Sequence, residues 1–518
     1  MQAQTAGGRY RALEGRRAPF LERARAAAKL TIPSLLPPDN HSGFSKLPTP
    51  FQGLGARGVN NLSSKLLLAL LPPNAPFFRL VIDDYTLEQL AQQGAGLRSE
   101  VEEALAKIER AVMTEIEVQA VRVSVAEALK QLIVAGNVLL YLAPEGGIRV
   151  FRLDRYVVRR DPMGNVLEII VQEHVSPEAL PDHIQARISD SDKQGKDKTV
   201  ELYTRIYRQE GKWRVYQEVK GEIIPGTEGE YPLDKSPWIA LRFTKIDGED
   251  YGRGYVEEYI GDLRSLEALT QAIVEGSAAS AKVLFLVNPN GVTDPRTLTE
   301  SPNGAVRSGD ANDVTVLQVQ KFADFRVAYE TIGVIEQRLS FAFLLNTAVQ
   351  RDGERVTAEE IRYMARELED ALGGVYSILS QEFQYPLVNR LIFQLERQRK
   401  IPTLPRGVVR PTITTGLEAL GRGHDLNKLD AFIAGAQQAI GPEALARYLV
   451  VSDYLIRRGT ALGIDMNGLV RTEEEVIAAE QQQHEQLQAE QAQMLLAQGG
   501  MDMAKEAVKA GMNNGGQR

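Results

Sequence analysis

The chain has no cysteine. That excludes disulfides, thiol catalysis and the cysteine-based zinc and iron–sulfur sites. Histidine is almost as scarce: His41, His174, His183, His424 and His484 are all there are, and no two stand three or four residues apart. A paired helical metal site is therefore not expected, and no G-x-S-x-G elbow accompanies any histidine to suggest a hydrolytic triad. No G-x-x-x-x-G-K-[ST] phosphate loop occurs either. The densest aliphatic run, KLLLALL, falls far short of the roughly 20 residues a membrane span needs. The opening MQAQTAGGRYRALEGRR lacks an apolar core segment, so no signal peptide is expected. No repeat with a period of 20 to 50 residues is evident.

What is present is globular in composition, with 43% apolar and 25% charged residues. At 518 residues the chain exceeds one ordinary core, so several domains or an elongated assembly are expected. The net charge of −8 argues against a basic nucleic-acid binder as a whole; any contact with DNA is local. Residues 9–29 have a helical pattern with seven basic and two acidic residues, read as either a solvated face or a contact with an acidic partner. Two or three helices follow over 86–133. Strands come next: NVLLYLA, a pair joined by the turn DPMGN, and a hairpin turning at Glu210-Gly211. Between the last two, SDSDKQGKDKTVE places Asp190, Asp192, Gln194, Gly195 and Glu201 on a calcium-loop template. Gln194 departs from it, three lysines oppose the ion and a strand follows, so a solvated loop is the reading.

Gly53, Gly55 and Gly58 spell G-x-G-x-x-G, the pattern of a dinucleotide-binding turn. The context fails. KLPTPFQ precedes with two prolines where a strand is required, and no acid lies about 20 residues on. The glycines are expected to let the chain turn tightly and pack close before the helix SSKLLLALL; weak anion binding beside Arg57 is the remaining alternative.

The middle of the chain alternates more informatively. Val256, Tyr259, Leu263, Leu266 and Ile273 form one helical stripe, and Phe325, Ala328, Ile332, Ile335, Leu339 and Ala342 form another. Some 30 residues of helix make a rod of roughly 45 Å. Residues 284–322 between them are turn-rich and β-like, giving the order long helix, small β module, long helix. NTAVQRDGER is a polar stretch centred on Gly353, after which Thr357 and Glu360 make a capping box. The helix it starts is expected to end near Gln384, before Tyr385-Pro386. IPTLPRGVVRPTITTGLEAL reads as a proline-punctuated link into a small helical unit, and the Gln/Glu/Ala-rich helix from Thr472 has few apolar anchors.

Four blocks, LPTPFQGLGARGVNNLSSKLLLALLPPNAPFFRL, RLSFAFLLNTAVQRDGERVTAEEIR, ELEDALGGVYSILSQEFQYPLVNRL and TTGLEALGRGHDLNKL, closely resemble the portal, or head–tail connector, proteins of short-tailed podovirus phages. The resemblance runs from Arg9 to about Glu475. It implies an α+β, largely helical portal fold in a ring of copies, twelve in the family. The wing would be 1–255 together with a long helix at 357–403. The stem helices would be 256–287 and 323–343, with 288–322 as clip and 344–356 as channel loop. A helical crown would occupy 404–470, and 471–518 a C-terminal barrel or tail. The implied role is structural rather than enzymatic, with no cofactor and no metal: a ring at one capsid vertex, in the virion, built from subunits made in the host cytoplasm. Its partners would be the major capsid protein, scaffolding protein, the terminase large subunit, a tail adaptor or tail tube protein, internal core proteins and double-stranded DNA, but no membrane. In the channel loop, Gln350, Arg351, Asp352, Gly353, Glu354 and Arg355 are the expected DNA contacts, with the pairing of the arginines to neighbouring carboxylates as the alternative. In the clip, Asp294, Arg296, Asn303 and Arg307 are expected to dock terminase and then adaptor. The rival reading from another class is a nucleotide-binding enzyme built on Gly53.

Overall fold

The computed structural model describes residues 5–82 and 97–186 almost completely, then 199–280, 284–317, 322–345, 374–404, 408–413 and 419–449, with single positions elsewhere. Its elements in chain order are α1 (Ala6–Leu30), α2 (Leu54–Leu70), β1 (Phe78–Ile82), α3 (Leu97–Val118), α4 (Val121–Ala135), β2 (Asn137–Leu142), β3 (Ile148–Phe151), β4 (Tyr156–Arg160), β5 (Val166–Val175), β6 (Val200–Gln209), β7 (Lys212–Val219), β8 (Glu222–Ile223), β9 (Gly229–Pro232), β10 (Trp238–Arg242), α5 (Ile260–Ser280), β11 (Leu284–Val287), β12 (Val314–Leu317), α6 (Phe322–Ala342), α7 (Tyr385–Arg397), β13 (Val409–Ile413) and α8 (Ala419–Ile440). The class is mixed helix and sheet. The chain divides into two compact units, one of residues 1–86 and 107–419 and one of residues 87–106 and 420–518. No helix among the described residues is long and apolar enough to cross a membrane.

The largest sheet of the first unit runs β4-β5-β6-β7, with β8 and β9 both paired to β7. Glu210 and Gly211 both take positive φ, 51° and 72°, the backbone of a two-residue hairpin turn whose twist matches its strands. They bring Gln209 opposite Lys212, as the turn chemistry predicts. Glu201 lies in the following strand, and its carboxylate accepts from the Tyr203 hydroxyl at 2.7 Å. Residues 189–198, the rest of the calcium-like stretch, lie outside the described residues.

Helix α1 packs Ala6, Tyr10 and Leu13 onto Val157, Ile170 and Tyr203 of that sheet. Glu218 on β7 accepts from the N–H groups of Ala6 and Gly7 at 2.7 and 3.1 Å, placing a carboxylate at the positive end of the helix. Five of the seven basic residues of this helix form ion pairs. Arg9 pairs with Glu168, Arg16 with Asp250, Arg17 with Glu14, Arg23 with Glu257 and Arg25 with Asp39. Arg17 is buried and also donates to the carbonyls of Leu153, Asp154 and Tyr156. The charge run that read as a solvated face or a partner contact is largely a set of ties between α1 and the rest of its own unit. Sequence spacing hides this, because most of the acids lie far along the chain.

Strand β1 pairs antiparallel with β13, Phe78 opposite Ile413. The expected proline-punctuated link is therefore part of a sheet, and Pro411 is tolerated because a two-stranded ribbon has open edges that require no donor there. The helix expected to stop at Gln384 continues. Val375–Leu379 passes through a π turn at Ser380–Gln384 into α7, with Pro386 at the start of α7. A π turn shifts the hydrogen-bond register by one residue, and it falls directly before the residue that has no N–H to give. The turn also presents Glu382 to two buried arginines. Arg242 donates to it through its backbone N–H and Nε, both at 3.2 Å, and Arg160 Nη1 lies 3.8 Å away. Arg160 further donates to the carbonyls of Asp250, Gly164 and Ala240 at 2.9–3.1 Å, and burial pushes its guanidinium down to about 10.

In the second unit, Tyr454 donates to Asp430 on α8 at 2.9 Å, and Arg458 pairs with the same carboxylate at 3.1 Å.

Candidate functional site

Helices α5 and α6 run antiparallel, with Arg338 reaching Asp262 at 2.9 Å near one end and Gly276 meeting Phe325 near the other. A Cβ on Gly276 would lie 2.7 Å from the Phe325 ring, so glycine sets how closely the two helices approach. The apolar stripes meet as their spacing predicts: Val256, Leu263 and Leu266 are buried on one side, Ile332, Ile335, Leu339 and Phe343 on the other. The first helix is shorter than its stripe suggests. It breaks at Tyr259, and Leu284–Val287 is a strand, so the boundary drawn at 287 falls within the β module. The described stretch Ile260–Ser280 spans about 30 Å. Burial also fades along the pair. Val274, Val327, Tyr329 and Val334 are 50 to 72% exposed, although they sit on helices with apolar faces.

Beyond the helices, β11 and β12 form a two-stranded antiparallel ribbon with Leu284 opposite Leu317. Phe285 and Leu286 point to opposite faces of it, and both are more than half exposed. The tip that follows is held by one carboxylate. Asp313 Oδ2 accepts from the N–H of Val292 at 2.8 Å, the N–H of Thr293 at 3.1 Å and the Thr293 hydroxyl at 3.1 Å. A Cβ on Gly291 would stand 2.2 Å from this carboxyl group, so glycine is required beside it. Asp313 and Gly291 are not legible as a pair, because they stand 22 positions apart in a turn-rich stretch. Asp313→Ala is expected to leave the buried Thr293 amide and the half-covered Val292 amide without their acceptor, a loss of roughly 2–3 kcal/mol at the tip. Amide exchange is the measurement: Val292 and Thr293 should exchange at least tenfold faster while α5 and α6 keep their protection.

The four tip residues singled out in the sequence lie on one exposed loop but do not converge on a shared partner. Asp294 caps the short helix Pro295–Thr299, accepting from Arg296 N at 2.9 Å. Asn303 sits in a turn closed by Ala305 N to Pro302 O at 3.1 Å, and Arg307 Nε donates to the Ser301 hydroxyl at 3.0 Å. The Arg296 side chain is exposed. Gln350, Arg351, Asp352, Gly353, Glu354 and Arg355 lie outside the described residues, as does the capping box at Thr357 and Glu360.

The glycine motif has a geometric answer. Helix α2 begins at Leu54, earlier than SSKLLLALL suggests, with Gly53 as its N-cap at φ −98° and the other two glycines inside it. None of the three takes a positive φ, so none adopts the backbone that glycine alone tolerates freely. Gly55 and Gly58 serve close approach instead. A Cβ on Gly55 would lie 2.6 Å from the Leu30 carbonyl, and one on Gly58 would lie 2.5 Å from Cγ of Phe343. The N–H of Gly55 already donates to Gln52 Oε1 at 2.8 Å, while Glu267 on α5 accepts from the N–H of Phe51 and Gln52 at 3.0 and 3.2 Å. A carboxylate of the protein thus occupies the place where a phosphate would need donors. Among the described residues no group of three or more His, Asp or Glu converges to hold a metal ion.

Residues 3–470 match the family described as bacteriophage head to tail connecting protein. The portal protein of Escherichia phage T7 is 47% identical over 96% of this chain and 94% of its own. That of Enterobacteria phage T3 is 46% identical over 97% and 96%, and that of Enterobacteria phage SP6 is 32% identical over 93% and 92%. Among solved structures, the neck of an empty gene transfer agent particle matches with 12% identity over 74% of this chain and 86% of that one, at a TM-score of 0.34. The neck of the native particle, computed with C12 symmetry, matches with 14% identity over 80% and 90%, also at 0.34. By its near full-length match and its identity to the curated relatives, the chain belongs to the bacteriophage head-to-tail connecting protein family.

Proposed function

We propose that copies of this chain, twelve in number, close into a ring at one vertex of the phage head, and that double-stranded DNA enters and leaves the head through its centre. In this reading α5 and α6 with their flanks, 256–287 and 323–343, are the stem, 288–322 the clip, 344–356 the channel loop, and 1–255 with 357–403 the wing. The crown would be 404–470 and the tail 471–518. The ring would nucleate head assembly with scaffolding and major capsid protein, carry internal core proteins, and dock first the terminase large subunit and then the tail adaptor through the clip. The role is structural; the energy for packaging comes from the terminase.

The observation that carries this is the set of apolar residues left uncovered along the helix pair and its ribbon. Two antiparallel helices leading to a two-stranded ribbon bury little of their own surface, and such a projection is stable only when other surfaces cover it. Neighbouring copies in a closed ring cover it on both sides without leaving an open end. Electron microscopy of the purified protein tests the reading: a ring with a central hole is expected, and a population of monomers or dimers would refute it.

Electrostatics favour passage. Each phosphate neutralised by Lys or Arg adds to non-specific affinity, so a subunit with net charge −8 repeated around a ring gives a mostly repulsive wall. Gln350 and Arg351 are the proposed points of contact within it, since acids at 352 and 354 offset the arginines at 351 and 355. Arg351→Gln is expected to lower the fraction of filled heads that keep their DNA after packaging. Unchanged retention would sink the contact.

A further inference from the structure

The C-terminal end of α6 is held by more polar side chains than packing requires. Leu344 takes φ 54°, its N–H donates to Phe341 O at 3.1 Å, and the N–H of Leu345 donates to Ser340 O at 2.8 Å. This is the left-handed helix ending that glycine usually supplies. It leaves the last three carbonyls directed past the helix. Each is then taken by a side chain from another element. Tyr255 donates its hydroxyl to Ala342 O at 2.8 Å, Asn61 Nδ2 donates to Phe343 O and Leu344 O at 2.9 Å each, and Lys65 Nζ donates to Leu344 O at 3.0 Å. Asn61 and Lys65 stand four apart on α2 and so share one face of it. The Lys65 ammonium also meets the negative end of the α6 dipole. Between these polar ties the ring of Phe343 is fully buried, seated on Gly58 and edge-on to Tyr255 at a centroid distance of 5.8 Å.

Burial of Phe343 alone would anchor the helix. The polar ties add something packing does not, a fixed orientation for the last peptide groups before the chain enters residues 346–356. We propose that Asn61, Lys65 and Tyr255 are positioning residues of the DNA conduit. By holding the final carbonyls of α6 they fix the point and direction at which the chain leaves this helix. This rests on the reading of 344–356 as the channel loop. Nothing in G-x-G-x-x-G suggests such a role, yet the motif supports it: Gly58 lets α2 approach Phe343 closely enough for Asn61 and Lys65 to reach the carbonyls.

The test uses complete particles assembled with variant rings. Asn61→Ala/Lys65→Ala is expected to form rings and fill heads, but with at least a tenfold loss in the fraction of heads that retain DNA. Tyr255→Phe, which keeps the ring and removes one hydrogen bond, should show a smaller loss of the same kind, and Lys65→Arg should retain DNA as the unaltered ring does. In purified rings, amide exchange at Leu344 and Leu345 should rise at least tenfold in the double variant. A purely structural role would instead lower ring yield and leave retention per filled head unchanged, and that result overturns the proposal. Should the double variant fail to assemble, Tyr255→Phe and Lys65→Met carry the same test, and unchanged retention in both overturns it. Arg351→Gln rings separate the two readings. Loss of DNA with Arg351→Gln but not with the α2 variants refutes the positioning role alone, whereas the reverse pattern supports positioning and removes only the Arg351 contact.

Discussion

Glu382→Ala is expected to destabilise the first unit by about 3–5 kcal/mol, the largest effect of any single substitution considered. The side chains of Arg242 and Arg160 are 2% and 4% exposed, and Glu382 is the carboxylate that pairs with both. Removing it leaves two guanidinium groups in a poorly solvated site, with backbone carbonyls as their remaining acceptors. The loss is thus dominated by stranded charge rather than by the attraction forgone. Glu382→Gln, which keeps volume and one acceptor, should fall between the variant and the unaltered protein. Replacing the three residues together with apolar ones of similar size should recover much of the difference, because a buried ion pair contributes little beyond its own desolvation. The thermal midpoint of the purified protein, compared across the three variants, is the measurement; a Glu382→Ala loss below about 1 kcal/mol would show that water reaches the arginines.

Gly58→Val is expected to cost roughly 2–3 kcal/mol, and Gly53→Ala no more than about 0.5 kcal/mol. A side chain at position 58 would enter the Phe343 ring, which cannot retreat because Tyr255 and Tyr259 stand against its other sides at centroid distances of 5.8 and 6.0 Å. At Gly53 there is no atom within 4 Å of the added Cβ, and φ is negative. A phosphate-cradling turn would give a different order, since its first glycine makes the turn itself. Denaturation of the two variants side by side decides between the uses, and equal losses at both positions would argue against packing.

Local signals made much of the fold legible. The stripes of α5 and α6 were readable because residues three and four apart face one neighbour. The hairpin at Glu210-Gly211 was readable because only certain residues accept positive φ. What escaped depends on partners far along the chain. The arginines of α1 find Glu168, Asp250 and Glu257, more than 150 residues on, and VRPTI is a strand only because Phe78–Ile82 lies beside it. The local pattern ended a helix before Tyr385-Pro386, where the resemblance implied one running on to 403, because a proline normally marks an end and the π turn that accommodates it leaves no compositional trace. The site was legible unevenly. Asp294, Arg296, Asn303 and Arg307 could be placed on exposed turns, whereas the Asp313 lock beneath them and the carbonyl ties of Asn61 and Lys65 could not, since both depend on atoms that only folding brings together.

The pairing of β1 with β13 also has a consequence for biosynthesis. Phe78 leaves the ribosome about 330 residues before Ile413, its partner in the ribbon. At roughly 5–20 residues per second, the edge of the first strand that faces β13 waits about 20–70 s without its partner. The N-terminal body therefore completes only after most of the polypeptide has been translated, and a nascent or truncated product that stops short of Val409 carries an open strand edge prone to pairing with the wrong chain.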